Sequence, residues 1–148
     1  MKVLTFLSLI GCLIMANEAK IFSRCELAYM LHEEGLDGYE GYSLANWICM
    51  AFFESGFNSA AEDENADGST DYGIFQINSH VWCNNYRSPT ENLCHLPCTD
   101  LLSDDITDDI ICAKRIVRDP QGMDACKLFR DSLEWKVLQH SQLPIQRT

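Results

Sequence analysis

The sequence predicts a single domain in which helices accompany a small antiparallel sheet. Apolar residues recur near helical spacing in residues 21–32, 44–54 and 106–117. Between the second and third of these, the turn signal Asp67-Gly68 leads into Thr70, Tyr72, Ile74 and Ile77, which reads as a short strand region with a hairpin. A chain of 148 residues, 47% hydrophobic and 22% charged, has the composition of one globular core.

Residues 1–19 read as a cleaved export signal: Lys2 is the positive n-region, Val3 to Ile14 is too short to span a bilayer with ease, and Ala19 suits cleavage before Lys20. The domain is then 20–148, exported, with no later segment able to cross a membrane. A first helix runs from Ile21 to His32 through Leu27, Met30 and Leu31, with Gly35 as its stop. Ser43 caps a second, through Leu44, Ala45, Trp47, Ile48, Ala51 and Phe52, which ends near Glu54 where Ser55-Gly56 breaks the pattern. Asn58 to Glu64 reads as loop, and the sheet that follows carries Asp71. From Ser79 to Pro97 the chain is turn-rich, with cysteines in and just after it, so cross-links are expected to replace regular structure. In 101–117, Ile106, Ile110, Ala113, Ile116 and Val117 line one side of a third helix, with acids at its start and Lys114 and Arg115 towards its end, which suits the helix dipole. Leu128, Ser132 and Trp135 allow a further helix, and the end beyond Pro144 reads as a tail.

The net charge of -11 bears on partners. Cutting after Ala19 removes one base, Lys2, and one acid, Glu18, and leaves it unchanged. Nucleic acid is excluded as a natural partner, because phosphate binding needs a basic face. Long-range repulsion also works against anionic bacterial envelopes, but it does not forbid an uncharged sugar. Of eight cysteines, Cys12 lies in the signal, leaving Cys25, Cys49, Cys83, Cys94, Cys98, Cys112 and Cys126. Export favours disulfides, and zinc is disfavoured because no second close pair accompanies Cys94, His95 and Cys98. Seven is odd, so at least one thiol stays unpaired within the chain.

Two carboxylates stand out for chemistry. Glu54 ends the run MAFFES beside Phe52 and Phe53, where burial raises a carboxyl pKa and keeps a proton ready for a leaving oxygen; the alternative is an exposed helix-end glutamate. Asp71 lies among Asn65, Ser69, Thr70 and Asn78, whose hydrogen bonds suit an ionised carboxylate facing an oxocarbenium-like centre; the alternative is an aspartate that stabilises a turn. The pair, seventeen positions apart with a hairpin between, fits acid-assisted cleavage of a glycosidic bond. Trp47 belongs to the core by its place in the helix pattern, whereas Trp82 is a cleft candidate and His80 reads as either a substrate contact or a solvated loop residue. The acids Asp100, Asp104, Asp105, Asp108 and Asp109 read either as a calcium site or as favourable charge at a helix N-terminus.

The motifs RCELA (24–28), GLDGYEGYSLANWIC (35–49), AFFESGFN (51–58), ADGSTDYGIFQINS (66–79), WCNN (82–85), NLCHLPC (92–98) and CAKRIV (112–117) together resemble the C-type lysozymes, which share a fold with α-lactalbumin. The resemblance covers Lys20 to about Ala125. It implies an α+β lysozyme-like fold, a helical lobe and a small antiparallel β lobe flanking a saccharide cleft. Glu54 matches the family's acid and Asp71 its second carboxylate, and substrate contacts fall on Asn65, Asn78, Trp82 and Asp119. It implies a secreted hydrolase of β-1,4 bonds in peptidoglycan or chito-oligosaccharides, with no organic cofactor, and the acidic composition resembles the branch found in sperm and testis. The second reading is a saccharide binder without turnover, of the kind sperm–egg recognition would use. The implied disulfides are Cys83–Cys98 and Cys94–Cys112.

The chain departs from the pattern in three places. Val81 stands at a cleft position that is commonly aromatic. In the calcium loop Asp108 and Asp109 match two carboxylate ligands and Asp100 and Asp105 would offer carbonyls, but Ser103 replaces a third acid, which implies weakened calcium binding. At Cys126 the text becomes CKLFRDSLEWKVLQH: Cys126 stands either where the family has its cleft tryptophan or, after a deletion, as the family's later cysteine. The second alternative permits Cys49–Cys126 and leaves Cys25 unpaired; under both, the tryptophan that packs against the acid is missing.

Overall fold

The computed structural model describes residues 19–119. Residues 1–18 of the export signal, the further helix expected through Leu128, Ser132 and Trp135, the tail beyond Pro144 and every question attached to Cys126 lie outside the described residues.

Helix α1 spans Arg24–Glu33, later than the Ile21 start expected from periodicity. Its boundary is set by Ser23, whose Oγ accepts from the Glu26 N–H at 3.2 Å, and Ile21 instead pairs with Asn58 in an isolated antiparallel bridge, 73% exposed. Helix α2 spans Leu44–Ser55 and opens with a capping box: the Asn46 N–H donates to Ser43 Oγ (3.3 Å) and the Ser43 N–H to Asn46 Oδ1 (2.9 Å). Gly56, at φ 60°, stops it, as the Ser55-Gly56 break predicts. Helix α3 spans Thr107–Ile116, after a 3-10 turn at Cys98–Leu102.

The β lobe is a three-stranded antiparallel sheet in the order β1 (Glu62–Glu64), β2 (Thr70–Tyr72), β3 (Ile77–Asn78). The expected hairpin turn is present, and Asp71 lies at the centre of β2. Strand β1 corrects the loop expected over Asn58 to Glu64. Three consecutive carboxylates carry no apolar alternation, but an outer strand needs none: all three are exposed, and charges there discourage further strand pairing.

One core joins the lobes. Leu27 and Leu31 of α1, Trp47 and Ala51 of α2, Ile110 and Ala113 of α3, and Tyr72, Ile74 and Ile77 from the β lobe are all buried. Trp47 is fully enclosed, as its place in the helix pattern requires, with Tyr42 and Phe75 each edge-on at 6.2 Å. Cys83–Cys98 and Cys94–Cys112 are both formed, as the family resemblance implies, and they tie the turn-rich segment to the 3-10 turn and to α3. Neither Cys25, which is exposed, nor Cys49, whose thiol is pushed up by burial, is bonded to another described cysteine. No helix among the described residues is long and apolar enough to cross a membrane.

Where α3 meets the β lobe, the backbone comes unusually close at Gly73. Its φ is +78°, and a Cβ there would stand 2.1 Å from the Leu101 carbonyl oxygen and 2.5 Å from Asp109 Oδ1. Only glycine satisfies both the conformation and the approach.

Candidate active site

Glu54 occupies the last turn of α2, and its position relative to the β lobe is set by its neighbour. The Ser55 hydroxyl lies 3.0 Å from the Ala51 carbonyl oxygen of its own helix and 2.8 Å from the Ile74 carbonyl oxygen of the β lobe. One hydroxyl hydrogen is thus shared between the helix end and the sheet. Glu54 remains open to solvent, yet enough protein surrounds its carboxyl for desolvation to raise its pKa; the negative charge of Asp71 adds to the rise. Phe52 and Phe53 do not seal it as expected: each residue is 45% exposed, and their rings pack edge-on against each other at 5.1 Å.

Asp71 is held differently. Thr70 and Tyr72 face the core, so alternation along β2 puts Asp71 on the opposite, half-buried face. Both its oxygens accept amide hydrogens, Oδ2 from Asn65 Nδ2 at 2.9 Å and Oδ1 from Asn78 Nδ2 at 2.7 Å. The same two amides also donate to Ser69 Oγ, at 3.1 and 2.9 Å. Ser69 Oγ donates in turn to Asp67 Oδ1 at 2.7 Å, and the backbone N–H of His80 donates to Asn78 Oδ1 at 2.9 Å. Two acids thus stand in contrasting surroundings, one partly desolvated and raised above the ordinary carboxylate range, the other accepting an amide hydrogen on each oxygen.

The remaining expected residues fall as follows. Asn65 and Asn78 converge on Asp71, as their polar context suggested, whereas Thr70 is turned inward, its N–H on buried Ser79 Oγ at 3.0 Å. Trp82 packs partly buried on the core, and its backbone N–H donates to the Asn78 carbonyl oxygen at 3.0 Å, which puts its backbone next to the Asp71 set. His80 is a half-buried loop residue whose Nδ1 lies 3.8 Å from Asp67 Oδ2. Asp119 sits in the turn after α3, its backbone N–H on the Ile116 carbonyl oxygen at 2.9 Å.

The acid cluster divides. Asp105 accepts from the Thr107 N–H (3.1 Å) and hydroxyl (2.6 Å), which hold it below the ordinary carboxylate range, and its carbonyl oxygen accepts from Ser103 Oγ at 2.8 Å. Asp108 and Asp109 lie in the first turn of α3, where acids suit the helix dipole. Asp109 corrects the picture of solvated N-terminal charge, because it is completely buried and neither carboxylate oxygen makes a hydrogen bond with a described residue. Burial pushes it up to about 8; the N–H groups of Asp109 and Ile74 point towards it and moderate that rise without bonding geometry. Among the described residues no group of three or more His, Cys, Asp or Glu is arranged to hold a metal ion.

Reading the sequence missed two of these features. Asp109 lies three residues after Ile106 and four before Ala113, both buried, so helical spacing had already put it on the buried face. The Ser55 bridge had no comparable signal, since the Ile74 carbonyl it meets is brought there by tertiary structure.

A model of the C-type lysozyme/alpha-lactalbumin family matches residues 20–142. The chain is 58% identical over 127 residues to lysozyme C of Callithrix jacchus, covering 84% of this chain and 85% of that one. It is 52% identical over 122 residues to sperm acrosome membrane-associated protein 3 of Mus musculus, covering 82% of this chain and 55% of that one. A crystal structure of lysozyme from Equus asinus superposes with a TM-score of 0.73 at 49% identity, covering 84% of this chain and all of that one. With the sheet, the helices and the cross-links arranged as described, these likenesses establish that the chain belongs to the C-type lysozyme/alpha-lactalbumin family.

Proposed function

We propose that the protein is an exported glycoside hydrolase that cleaves β-1,4 bonds in peptidoglycan or N-acetylglucosamine polymers, with Glu54 and Asp71 as its catalytic pair. The observation that carries the reading is the contrast between the two carboxyls: burial and the charge of Asp71 favour a protonated Glu54, while Asn65 and Asn78 donate to both oxygens of Asp71. Glu54 gives its proton to the departing oxygen as the glycosidic bond breaks. Asp71 meets the positive charge at the anomeric carbon as nucleophile or counter-charge, and Glu54 then takes a proton from the attacking water, giving retention of configuration.

Trp82 and Asp119 are assigned contacts with the glycan on family resemblance, Trp82 with the added support that its backbone is bonded to that of Asn78. Asn65 and Asn78 act first as holders of Asp71. Asn78 has both Oδ1 and Nδ2 engaged, so Asn65 Oδ1 is the more available acceptor for a sugar hydroxyl. Export rests on residues 1–19, and an acrosomal destination on the name of the mouse relative alone.

The test is turnover of bacterial walls and chito-oligosaccharides by the purified protein, by Glu54→Gln and by Asp71→Asn. Losses of about 100- to 10,000-fold are expected for Glu54→Gln, the range of a general acid. Equal activity in all three proteins removes this mechanism. Oligosaccharide binding without turnover by the unmodified chain replaces it with the saccharide-binder reading.

A further inference from the structure

We infer that Asp67 is a positioning residue for Asp71, acting through the Ser69 hydroxyl on the amide of Asn65. Asp67 touches neither catalytic carboxyl. It sits in the β1–β2 turn, largely exposed, and Oδ1 accepts from both the Ser69 N–H at 2.9 Å and the Ser69 hydroxyl at 2.7 Å.

A serine hydroxyl has one hydrogen and two lone pairs. An ionised aspartate accepts only, so the single Ser69 hydrogen is committed to Asp67, and Ser69 Oγ can meet its other neighbours only as an acceptor. Those neighbours are the side-chain nitrogens of Asn65 and Asn78. Each amide therefore presents its nitrogen, not its oxygen, and its second hydrogen points at Asp71. Were the Ser69 hydrogen released from Asp67, it would be free to donate to an amide oxygen, favouring a turned amide that sets an oxygen against the Asp71 carboxylate. Ser69 is 1% exposed, so water does not readily take over the role.

The two amides are not equally dependent on this arrangement. The orientation of Asn78 is fixed a second time, because the His80 N–H donates to its Oδ1. Asn65 has no such second anchor on Oδ1 among the described residues; its side chain is oriented by Ser69 and Asp71 alone. Loss of Asp67 thus disturbs the Asn65 side of the clamp and spares the Asn78 side. His80 adds only a 3.8 Å approach to the outer oxygen of Asp67, and Glu54 faces Asp71 from the other lobe without entering the relay.

The kinetic consequence rests on the hydrolase reading, whereas the structural consequence does not, so two measurements separate them. In Asp67→Ala, side-chain amide resonances of Asn65 are expected to move while both hydrogens of Asn78 keep their positions. Asp67→Asn, which keeps an acceptor for the Ser69 hydroxyl, restores the original Asn65 signals. Ser69→Ala, tested in parallel, removes the acceptor of both amides, so one hydrogen of each is expected to move. In turnover, Asp67→Ala lowers kcat about tenfold with KM within about twofold, the scale of one charge-assisted hydrogen bond, and Asp67→Asn recovers most of it. A protein that turns over no glycan sinks the hydrolase reading and leaves the amide pattern to decide this one. If Asn65 and Asn78 respond together to Asp67→Ala, or if neither responds, Asp67 does not position Asp71.

Discussion

Replacing Asp109 with asparagine should change how stability depends on pH, not merely its value. In the unfolded chain Asp109 titrates near 3.8, and in the fold burial pushes it up to about 8. Between those limits the folded form binds a proton that the unfolded form does not. The contribution is therefore fully present below pH 3.8 and is lost as pH rises through about 8. One unit is worth about 1.4 kcal/mol, so the three units from pH 4 to pH 7 amount to about 4 kcal/mol, with a ceiling near 6 above pH 8. Against a typical total of about 5 to 15 kcal/mol this is a large slope. Asparagine has no such titration. Its own buried amide carries a cost of about 1 to 3 kcal/mol, but that offset does not change with pH and drops out of the slope. Urea unfolding of both proteins across about pH 4 to 10, with a chelator present, gives the comparison. The variant should gain on the parent progressively up to pH 8 and then hold level. Parallel profiles would refute the assignment. So would strong stabilisation of the parent by added calcium, since a bound dication would keep Asp109 ionised.

Two further predictions concern the cleft and the lobe junction. In Asp71→Asn, removal of the facing charge lowers the Glu54 pKa, but burial, the larger cause, keeps it above the ordinary range; carboxyl NMR of Glu54 reads the shift directly, and any residual turnover loses its alkaline limb at lower pH. An unmoved Glu54 titration means that Asp71 does not act on it. Gly73→Ala puts a Cβ 2.1 Å from the Leu101 oxygen at φ +78°, and is expected to cost roughly 2 to 4 kcal/mol in denaturant unfolding; a loss under about 1 kcal/mol contradicts the close approach.

What could be read from the sequence was whatever is carried by local signals. Helix α2 announced itself at both ends, through Ser43 and Gly56, and helical spacing placed Trp47 in the core. Asp67-Gly68 gave the hairpin, and the hairpin put Asn65 and Asn78 beside Asp71. The family motifs supplied the two cross-links that are formed. Strand β1 stayed hidden because three exposed acids on an outer strand have no apolar face to alternate. Asp109 stayed hidden because charge was weighed above position: a carboxylate near a helix start suggests solvent, and its heptad-like spacing from Ile106 and Ala113 suggests the opposite. Long-range contacts such as Lys114 Nζ on the Glu34 carbonyl oxygen leave no mark on the sequence around either partner.

The Ser55 hydroxyl has a consequence for stereochemistry. Glycosidases of this two-carboxyl kind retain or invert configuration according to how far apart the acids stand, a difference of only a few ångströms between the classes. Glu54 rides on a helix end and Asp71 on a strand, so nothing in either element alone determines their separation. The hydrogen shared between Ala51 and Ile74 pins the turn of helix that carries Glu54 to the lobe that carries Asp71. If the chain cleaves glycans as proposed, the spacing on which the outcome at the anomeric carbon depends is tied to a hydroxyl whose bonds both go to backbone carbonyls.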